Sequence, residues 1–230
     1  MQPPQQDVYV DNARLDVAPF IPPGATSVLD VGCGAGGFGP TLRAALGDRA
    51  TVVGLEAVAS QAEAARHGHG FDEVVTGYFP DALDGRPGTF DAIFFNDVLE
   101  HIVDPWEVLR EVPRFLSPDG CVVAAIPSIQ YAPVVFKLLR GRWDYVDQGT
   151  LDRTHVRFFT RATMVEMFET CGYEVLSCVG ANTMGRRWAA SGNPLLRAAA
   201  RVLPVPFGDM RFVHFVVVAR PVHGRAPAGA

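Results

Sequence analysis

Two short stretches of the chain combine acidic side chains with histidine, the residue types that ligate metals and move protons. Asp97, Glu100 and His101 are spaced i, i+3, i+4, which places them on one face if that turn is helical. Asp152 and His155 form the second stretch. An unperturbed histidine has a pKa of about 6.5, so His155 could remove the proton of an acceptor hydroxyl while Asp152 orients its ring. The alternative for His155 is a purely structural hydrogen bond.

Two roles are open to the first stretch. Carboxylates and histidine at this spacing could hold a divalent metal. Glu100 and His101 could equally cap and brace a helix beginning near Asp104 and Pro105, since proline suits the first helical position. We favour the second role and predict no metal ligand here.

A glycine-rich loop follows a predicted buried strand near residues 27–31. Glycines stand at positions 32, 34, 36 and 37, and a helix is predicted from about 38 to 46. Glycine lets the backbone approach a ligand closely, and the first N–H groups of a helix are free to bind it. A second predicted strand ends in Glu56, whose carboxylate is placed to accept hydrogen bonds from ribose hydroxyls. The pattern predicts a nucleotide-containing cofactor.

Two classes of cofactor share this pattern. Gly34, Gly36 and Gly39 satisfy the dinucleotide fingerprint G-x-G-x-x-G, with Glu56 about 20 residues further on, as in an NAD(P)-dependent oxidoreductase. The run from Asp30 to Gly36 instead resembles the first motif of class I S-adenosylmethionine-dependent methyltransferases. Three later segments resemble that family in the same order: Phe-Asp-Ala-Ile-Phe-Phe-Asn at 90–96, Asp-Val-Leu-Glu-His-Ile-Val-Asp-Pro at 97–105, and Leu-Ser-Pro-Asp-Gly-Cys-Val-Val-Ala-Ala-Ile-Pro at 116–127.

The resemblance implies S-adenosyl-L-methionine as the cofactor. The loop glycines would admit its methionine end, Asp30 would order the loop or the amino group, and Glu56 would bind the ribose. Adenine would lie against Ala57 and the loop after the third strand, where Tyr78 or Asp81 would replace the acidic residue that the family often has. The implied cofactor residues are Asp30, Gly32, Gly34, Gly36, Glu56, Ala57, Tyr78, Asp81 and Asn96.

Further resemblances concern the methyl acceptor. The stretch 152–160 resembles a methyltransferase subgroup that includes enzymes acting on sugars, glycolipids and other hydroxylated metabolites. The stretch 97–101 resembles the ubiquinone-pathway O-methyltransferases, in which acid, acid and histidine at these places are linked to a divalent metal. Together they imply methylation of a hydroxyl on a small metabolite, a sugar or a lipid-linked acceptor, without a nucleic-acid partner. A non-catalytic cofactor-binding partner subunit is a further alternative.

The elements that must position these residues alternate along the chain. Strands are predicted near 27–31, 51–56, 73–76, 90–95 and 120–126. Helices are predicted near 38–46, 58–66 and 105–115. This alternation predicts an α/β fold with a parallel sheet and helices on both faces. A helix at 160–171 and strands at 173–179 and 211–219 follow, in the order of the closing antiparallel pair of the methyltransferase family, which implies a Rossmann-like, seven-stranded, mostly parallel sheet.

Domain organisation and composition complete the prediction. We expect one domain over 1–220, lid segments near 131–148 and 180–209, and a disordered tail at 221–230. No apolar run reaches the roughly 20 residues of a membrane span and the N-terminus lacks a signal-peptide pattern, so we expect a cytoplasmic enzyme.

The charge is uneven: residues 1–130 carry 18 acidic and 7 basic side chains, whereas 131–230 carry 7 and 13. The basic amphipathic segments of the second part suit lids or contact with an anionic membrane surface. The sequence leaves the oligomeric state open.

Overall fold

The computed structural model describes residues 12–68, 70–199 and 205–222. Its strands are β1 Ser27–Val31, β2 Thr51–Glu56, β3 Glu73–Thr76, β4 Phe90–Asn96, β5 Leu116–Pro127, β6 Tyr173–Thr183 and β7 Phe212–Pro221. Its α-helices are α1 Gly39–Leu46, α2 Ala59–Arg66, α3 Pro105–Glu111, α4 Ala132–Leu138, α5 Arg161–Thr170, α6 Met184–Ala189 and α7 Pro194–Ala199. Short 3-10 helices lie at Ala18–Phe20, Asp81–Leu83, Leu99–His101, Val112–Arg114 and Val205–Arg211.

All seven strands form one sheet in the order β3-β2-β1-β4-β5-β7-β6. The first five pair in parallel, and β7 runs antiparallel to both β5 and β6. The predicted Rossmann-like, mostly parallel sheet with a C-terminal antiparallel pair is therefore confirmed. Strand order reverses beside β1, and in such sheets the ligand lies outside the carboxyl ends of the strands near that reversal.

The sheet is covered on both faces, and β4 explains why the sequence folds this way. Its residues 92–95 are all fully buried, because a strand at the centre of a parallel sheet meets helices on each side. Successive side chains point to opposite faces. Ile93 and Phe95 join one apolar core with Phe168 of α5, whereas Phe94 joins the other with Phe38 beside α1.

Several element boundaries differ from the predicted ones. Strand β5 begins at Leu116, α3 gives way to a 3-10 turn after Glu111, and β6 continues to Thr183. The predicted insertion at 180–209 therefore starts inside a strand. Strand β7 includes Pro221, the first residue of the predicted tail, and residues 223–230 lie outside the described part of the chain.

Helix α5 begins as predicted after Thr160. The Thr160 hydroxyl accepts a hydrogen bond from the Thr163 backbone N–H, while the Thr163 hydroxyl accepts one from the Thr160 backbone N–H. This reciprocal cap satisfies two N–H groups that the first turn would otherwise leave unpaired. Within the described residues, no helix has both the length and the apolar character needed to cross a membrane.

Candidate active site

One cavity of about 930 Å³ lies at the carboxyl ends of the parallel strands. Its floor contains residues that end or follow strands: Val31, Glu56, Gly77, Asn96 and Pro127. The glycine loop forms one side, and the residues around Glu100 and His155 form the other. The cavity is thus lined by both regions for which the sequence predicted functional residues. Its volume lies within the usual range for a small-molecule site.

The glycine loop between β1 and α1 takes backbone conformations that side chains disfavour. Gly32, Gly34 and Gly36 have φ angles of +69°, +56° and +100°. A Cβ atom at Gly32 would also lie 2.6 Å from a methyl carbon of Val98. Glycine alone adopts these φ angles without strain. Gly32 and Gly34 line the cavity, whereas Gly36 is absent from the lining. The cofactor contacts predicted for the three glycines stay predictions.

Glu56 holds this loop from the end of β2. Its carboxylate accepts one hydrogen bond from the Gly34 N–H at 2.8 Å and another from the Val58 N–H at 2.8 Å. A carboxylate has about four acceptor positions, so it can take further hydrogen bonds from a ligand in the cavity. The predicted ribose contact of Glu56 stays a prediction, and the structure adds a role in shaping the loop.

Asp30 and Asn96 meet at the ends of the neighbouring strands β1 and β4. The Asn96 amide donates a hydrogen bond of 3.2 Å to the Asp30 carboxylate, and both residues line the cavity. Burial raises the pKa of Asp30 to about 7, although the Asn96 hydrogen bond acts in the opposite direction. A positively charged ligand group beside Asp30 would favour its ionised form. The contact uses the Asn96 side chain, and the cofactor role predicted for Asn96 stays a prediction.

The predicted adenine side divides into residues that line the cavity and one that does not. Ala57, Val58 and Tyr78 line it, and the Tyr78 ring is half-exposed at 48%. Asp81 is exposed at the start of a 3-10 helix and is absent from the lining. Of the two replacements weighed for the usual acidic residue, the aromatic ring is therefore the one beside the cavity.

A ring of five polar residues stands at one margin of the cavity. The Arg14 guanidinium pairs with Asp97 and with Asp16, and the Asn182 amide donates to Asp16 at 2.9 Å. His214 closes the ring, because its Nε2 lies 3.1 Å from Asp97 Oδ1 and its Nδ1 lies 3.4 Å from the Asn182 amide.

The ring also concentrates backbone strain. Within the described part of the chain, Arg14, Asp97 and Asn182 are the non-glycine residues with positive φ, at 45°, 55° and 54°. Such conformations cost free energy and persist where the surroundings enforce them. Arg14, Asp97 and His214 line the cavity.

The second acidic and histidine stretch packs directly on the first. The Glu100 backbone carbonyl accepts hydrogen bonds from the N–H groups of Val156 and Arg157, at 2.9 and 3.0 Å. His101 Nδ1 lies 3.3 Å from the Thr154 carbonyl oxygen and 3.1 Å from its hydroxyl. Two segments separated by about fifty residues in the sequence therefore form a single wall.

This wall brings three donor groups together. One ligand atom from each of Glu100, His101 and His155 lies within 4.8 Å of the others. The two imidazole rings meet edge to face with centroids 4.7 Å apart, and His155 Nε2 lies 3.9 Å from Glu100 Oε1. Burial lowers the pKa of His155 to about 4 and lowers that of His101, while burial followed by the charge of Asp97 raises the pKa of Glu100.

Asp152 holds this wall differently from the prediction. Its Oδ1 accepts hydrogen bonds from the Thr154 backbone N–H and hydroxyl, at 2.8 and 2.7 Å. His155 Nδ1 instead lies 3.2 Å from the Thr150 carbonyl oxygen. The ring orientation that the sequence attributed to Asp152 is thus supplied by a backbone carbonyl, and Asp152 positions Thr154 beside His101. The base role of His155 stays a prediction.

The two predicted lid segments contribute unequally to the cavity. Gln148 lines it from the first segment, and no described residue of the second segment does. The lid role of 180–209 therefore stays a prediction. Sequence reasoning missed Arg14 and His214, because their partners are far away in the chain and neither residue belongs to a recognisable motif.

The comparisons with known proteins fit this arrangement. The family model described as "Methyltransferase domain" matches residues 7–178. The chain belongs to this methyltransferase family. Solved structures of an S-adenosylmethionine-dependent methyltransferase from Archaeoglobus fulgidus (TM-score 0.64, 15% identity, 88% of this chain and 90% of that one) and another from Mesorhizobium loti (0.62, 18%, 90% and 97%) share the fold.

Several similar proteins carry the name ubiquinone biosynthesis O-methyltransferase. The mitochondrial protein of Bos taurus is 30% identical over 210 residues, which are 84% of this chain and 55% of the relative. The protein of Methylobacterium nodulans is 29% identical over 180 residues, 74% of this chain and 70% of the relative. The protein of Xanthomonas oryzae is 30% identical over 149 residues, 63% and 57%. The chain thus spans between 55% and 70% of the length of these relatives.

Proposed function

We propose that this methyltransferase transfers the methyl group of S-adenosyl-L-methionine to a hydroxyl oxygen of a small molecule. The observation that carries the proposal is the single cavity in which the glycine loop faces the wall around Glu100 and His155. Similarity to proteins named O-methyltransferases supports oxygen as the accepting atom.

The reaction requires alignment more than covalent chemistry by the protein. A lone pair of the acceptor oxygen forms the new C–O bond as the S–C bond breaks, S-adenosylhomocysteine leaves, and the hydroxyl proton is released. Holding donor and acceptor in line supplies much of the rate enhancement of such a displacement. The glycine loop and Glu56 would fix the donor, and Asp30 would face its amino group.

The acceptor would enter beside the wall of residues 148–155. Gln148 and Gly149 are exposed at the rim, whereas Asp152, Thr154 and His155 are buried deeper in the same wall. At neutral pH His155 is a neutral imidazole whose Nδ1 faces the Thr150 carbonyl, which leaves a lone pair on Nε2. That lone pair could receive the hydroxyl proton, the role predicted for His155 from the sequence.

A lipid-linked acceptor is supported by the exposed surface of the predicted lid segment at 131–148. Phe136, Leu138 and Leu139 are exposed, with Leu139 at 76%, and Lys137 and Arg140 lie exposed among them. Apolar side chains mixed with cations suit an anionic membrane surface. Cosedimentation should therefore be stronger with anionic than with zwitterionic vesicles, and Leu139→Asp should weaken it. Leu176→Asp, which changes an exposed leucine of β6, serves as the matched control.

The reaction class is tested by titration and turnover. Calorimetry should detect binding of S-adenosylhomocysteine and none of NAD. Methyl transfer from labelled S-adenosylmethionine to phenolic, sugar and lipid-linked hydroxyl acceptors should give labelled ethers, which mass spectrometry identifies. Cofactor binding without product from any acceptor class would favour the non-catalytic partner subunit. The cytoplasmic location stays a prediction and is tested by fractionation.

A further inference from the structure

We propose that Asn182 and His214 are positioning residues for the cofactor. Through the polar ring they hold the margin of the cavity that would receive the methionine end of S-adenosyl-L-methionine. The inference rests on the proposed function, because it takes this cofactor as the ligand of the cavity. Asn182 belongs to β6 and His214 to β7, and both lie beyond residue 178, where the match to the family model ends.

The first argument is the place of the ring beside the predicted methionine end. Asp97 directly follows Asn96, whose amide donates to the Asp30 carboxylate, and Asp30 is the residue predicted for the cofactor's amino group. Burial raises the pKa of Asp30, whereas the Asn96 hydrogen bond and the positive charge of Arg14 oppose this rise. Arg14 is therefore close enough to Asp30 to interact with it, and Arg14, Asp97 and His214 line the same cavity.

The second argument is the direction of the contacts around the ring. The Asn182 amide nitrogen donates to Asp16 at 2.9 Å, so it also presents a donor to His214 Nδ1, which lies 3.4 Å away. An imidazole nitrogen that faces a donor acts as the acceptor, and the proton is then on Nε2. His214 Nε2 lies 3.1 Å from Asp97 Oδ1. Asn182 thus sets the tautomer of His214, and His214 in turn holds Asp97.

The third argument is that the two carboxylates of the ring hold a single guanidinium. Arg14 donates from Nε and Nη2 to Asp16, each at 3.1 Å, and from Nη1 to Asp97. Among the described residues, Arg14 is the only lysine or arginine that lines the cavity. The methionine end of the cofactor carries a carboxylate, so the position of this guanidinium sets the positive charge that a bound cofactor meets. A loosened ring would therefore change that charge.

The fourth argument is the backbone strain at Asn182. Its φ is 54°, and Arg14 and Asp97 in the same ring also have positive φ. Strain of this kind persists where the surroundings enforce it, and it concentrates at functional sites. Glycine would adopt this φ without strain but would supply no amide. A glycine at this position therefore separates stability of the fold from the function of the ring.

The test compares two ligands on the full chain by calorimetry. S-adenosylhomocysteine carries the amino and carboxylate groups of methionine, whereas 5′-methylthioadenosine shares its adenosine and sulfur and lacks both groups. In the wild type we expect both to bind, with S-adenosylhomocysteine at least about tenfold tighter, because it adds hydrogen bonds to charged groups.

Four variants separate the ring from its surroundings. His214→Phe keeps a planar ring without nitrogens, so it should weaken S-adenosylhomocysteine binding about tenfold. The same variant should change 5′-methylthioadenosine binding by less than about twofold, because the adenosine site is independent. His214→Gln, whose amide can replace the Nε2 donor, should restore most of the affinity. Asn182→Gly should show the selective loss with a Tm no lower than wild type. Cys178→Ala, a change in β6 outside the cavity lining, is the matched control and should bind both ligands as wild type does.

Equal losses for both ligands in His214→Phe and Asn182→Gly, or no loss for either ligand, would overturn the proposal. A measurement on the wild type keeps the test valid if a variant fails to fold. Saturating S-adenosylhomocysteine should slow amide hydrogen exchange at residues 14–18, which include the Arg14 and Val17 N–H groups, more than saturating 5′-methylthioadenosine does. Equal slowing by the two ligands would contradict a role of the ring at the methionine end.

Failure of the proposed function gives a different result. If neither ligand binds the wild type, the cofactor assignment itself is rejected. If both ligands bind the wild type and the variants do not discriminate between them, the cofactor assignment stands and only the positioning role of Asn182 and His214 is rejected.

Discussion

The two sides of the cavity are built in different ways. The cofactor side depends on backbone: Gly32 and Gly34 line it, and Glu56 holds the loop by accepting hydrogen bonds from the Gly34 and Val58 N–H groups. The acceptor side uses ionisable side chains from segments that are far apart in the sequence, joined by hydrogen bonds to the Glu100 carbonyl and to Thr154. We therefore expect function on the cofactor side to be lost when a substitution adds side-chain atoms. On the acceptor side we expect it to be lost when a substitution removes an ionisable group.

The largest effect is expected from a side chain on the cofactor side. Gly34→Val should reduce S-adenosylhomocysteine binding below detection in calorimetry, since the new side chain would stand in the cavity at a φ of +56°. Gly141→Val is the matched control: Gly141 has a φ of +71° and lies outside the cavity lining. Both variants carry a similar backbone strain, about 1–2 kcal/mol. Equal binding by the two variants would show that the loop is not the cofactor site.

A change on the acceptor side should separate turnover from cofactor affinity. His155→Gln should lower kcat by about 10²–10⁴-fold, the usual contribution of a positioned proton acceptor, and leave the Kd of S-adenosylhomocysteine nearly unchanged. His67→Gln provides the control for loss of an imidazole, because His67 is exposed at the C-terminal end of α2 and does not line the cavity. Turnover equal to wild type would remove His155 from the chemistry altogether.

A smaller loss of cofactor affinity is expected from a change at Glu56. This residue is an ionisable side chain on the side of the cavity that otherwise depends on backbone. Glu56→Gln should weaken S-adenosylhomocysteine binding by about 1.5–3 kcal/mol, roughly ten- to hundredfold, because a charged acceptor of ligand and loop hydrogen bonds is lost. Calorimetry at constant temperature measures it. An unchanged Kd together with a lower Tm would mean that Glu56 only supports the loop.

The smallest effect concerns the pH dependence of cofactor binding. The pKa of Asp30 is about 7, so a ligand ammonium group that favours the carboxylate should bind about tenfold more weakly at pH 6 than at pH 8. In the free protein the contribution of Asp30 to stability changes with pH in the opposite direction to the cofactor affinity. Because the folded state raises this pKa, the contribution of Asp30 to the free energy of unfolding is greatest at low pH and declines as the pH rises towards 7. Asp30→Asn should flatten both profiles.

The difference between the two sides also explains how much the sequence could predict. The apolar run before Gly32 and the acid at the end of β2 are local signals, so the sheet and the glycine loop could be predicted from short-range pattern. The choice between two cofactor classes came instead from the resemblance of several segments to the methyltransferase family. The wall around Glu100 could not. Its composition depends on the segment 152–158 folding over the 3-10 helix at 99–101. Sequence spacing grouped Asp97 with Glu100 and His101, whereas in the structure the side chain close to those two residues is that of His155.

The roles of single side chains were harder still to predict, for the same reason. Asp152 and His155 are close in sequence, but each pairs with a different group because the turn at 149–152 presents the Thr150 carbonyl to the imidazole. Arg14 carries no local signal at all. Its value to the cavity depends on Asp97, which lies 83 positions away.

The polar ring at the margin of the cavity affects the order in which the protein can fold during synthesis. The ring consists of Arg14, Asp16, Asp97, Asn182 and His214. Its contacts join positions 83 and 166 apart in the chain, and closing such long loops is slow compared with forming local turns. During synthesis β1, β2 and β4 leave the ribosome before β7, so the glycine loop can form earlier than the ring. The ring at the margin of the cavity cannot form before β7 has been synthesised, because His214 belongs to β7. On the proposed function, a nascent chain would therefore be able to bind S-adenosyl-L-methionine before the acceptor side of the cavity is complete.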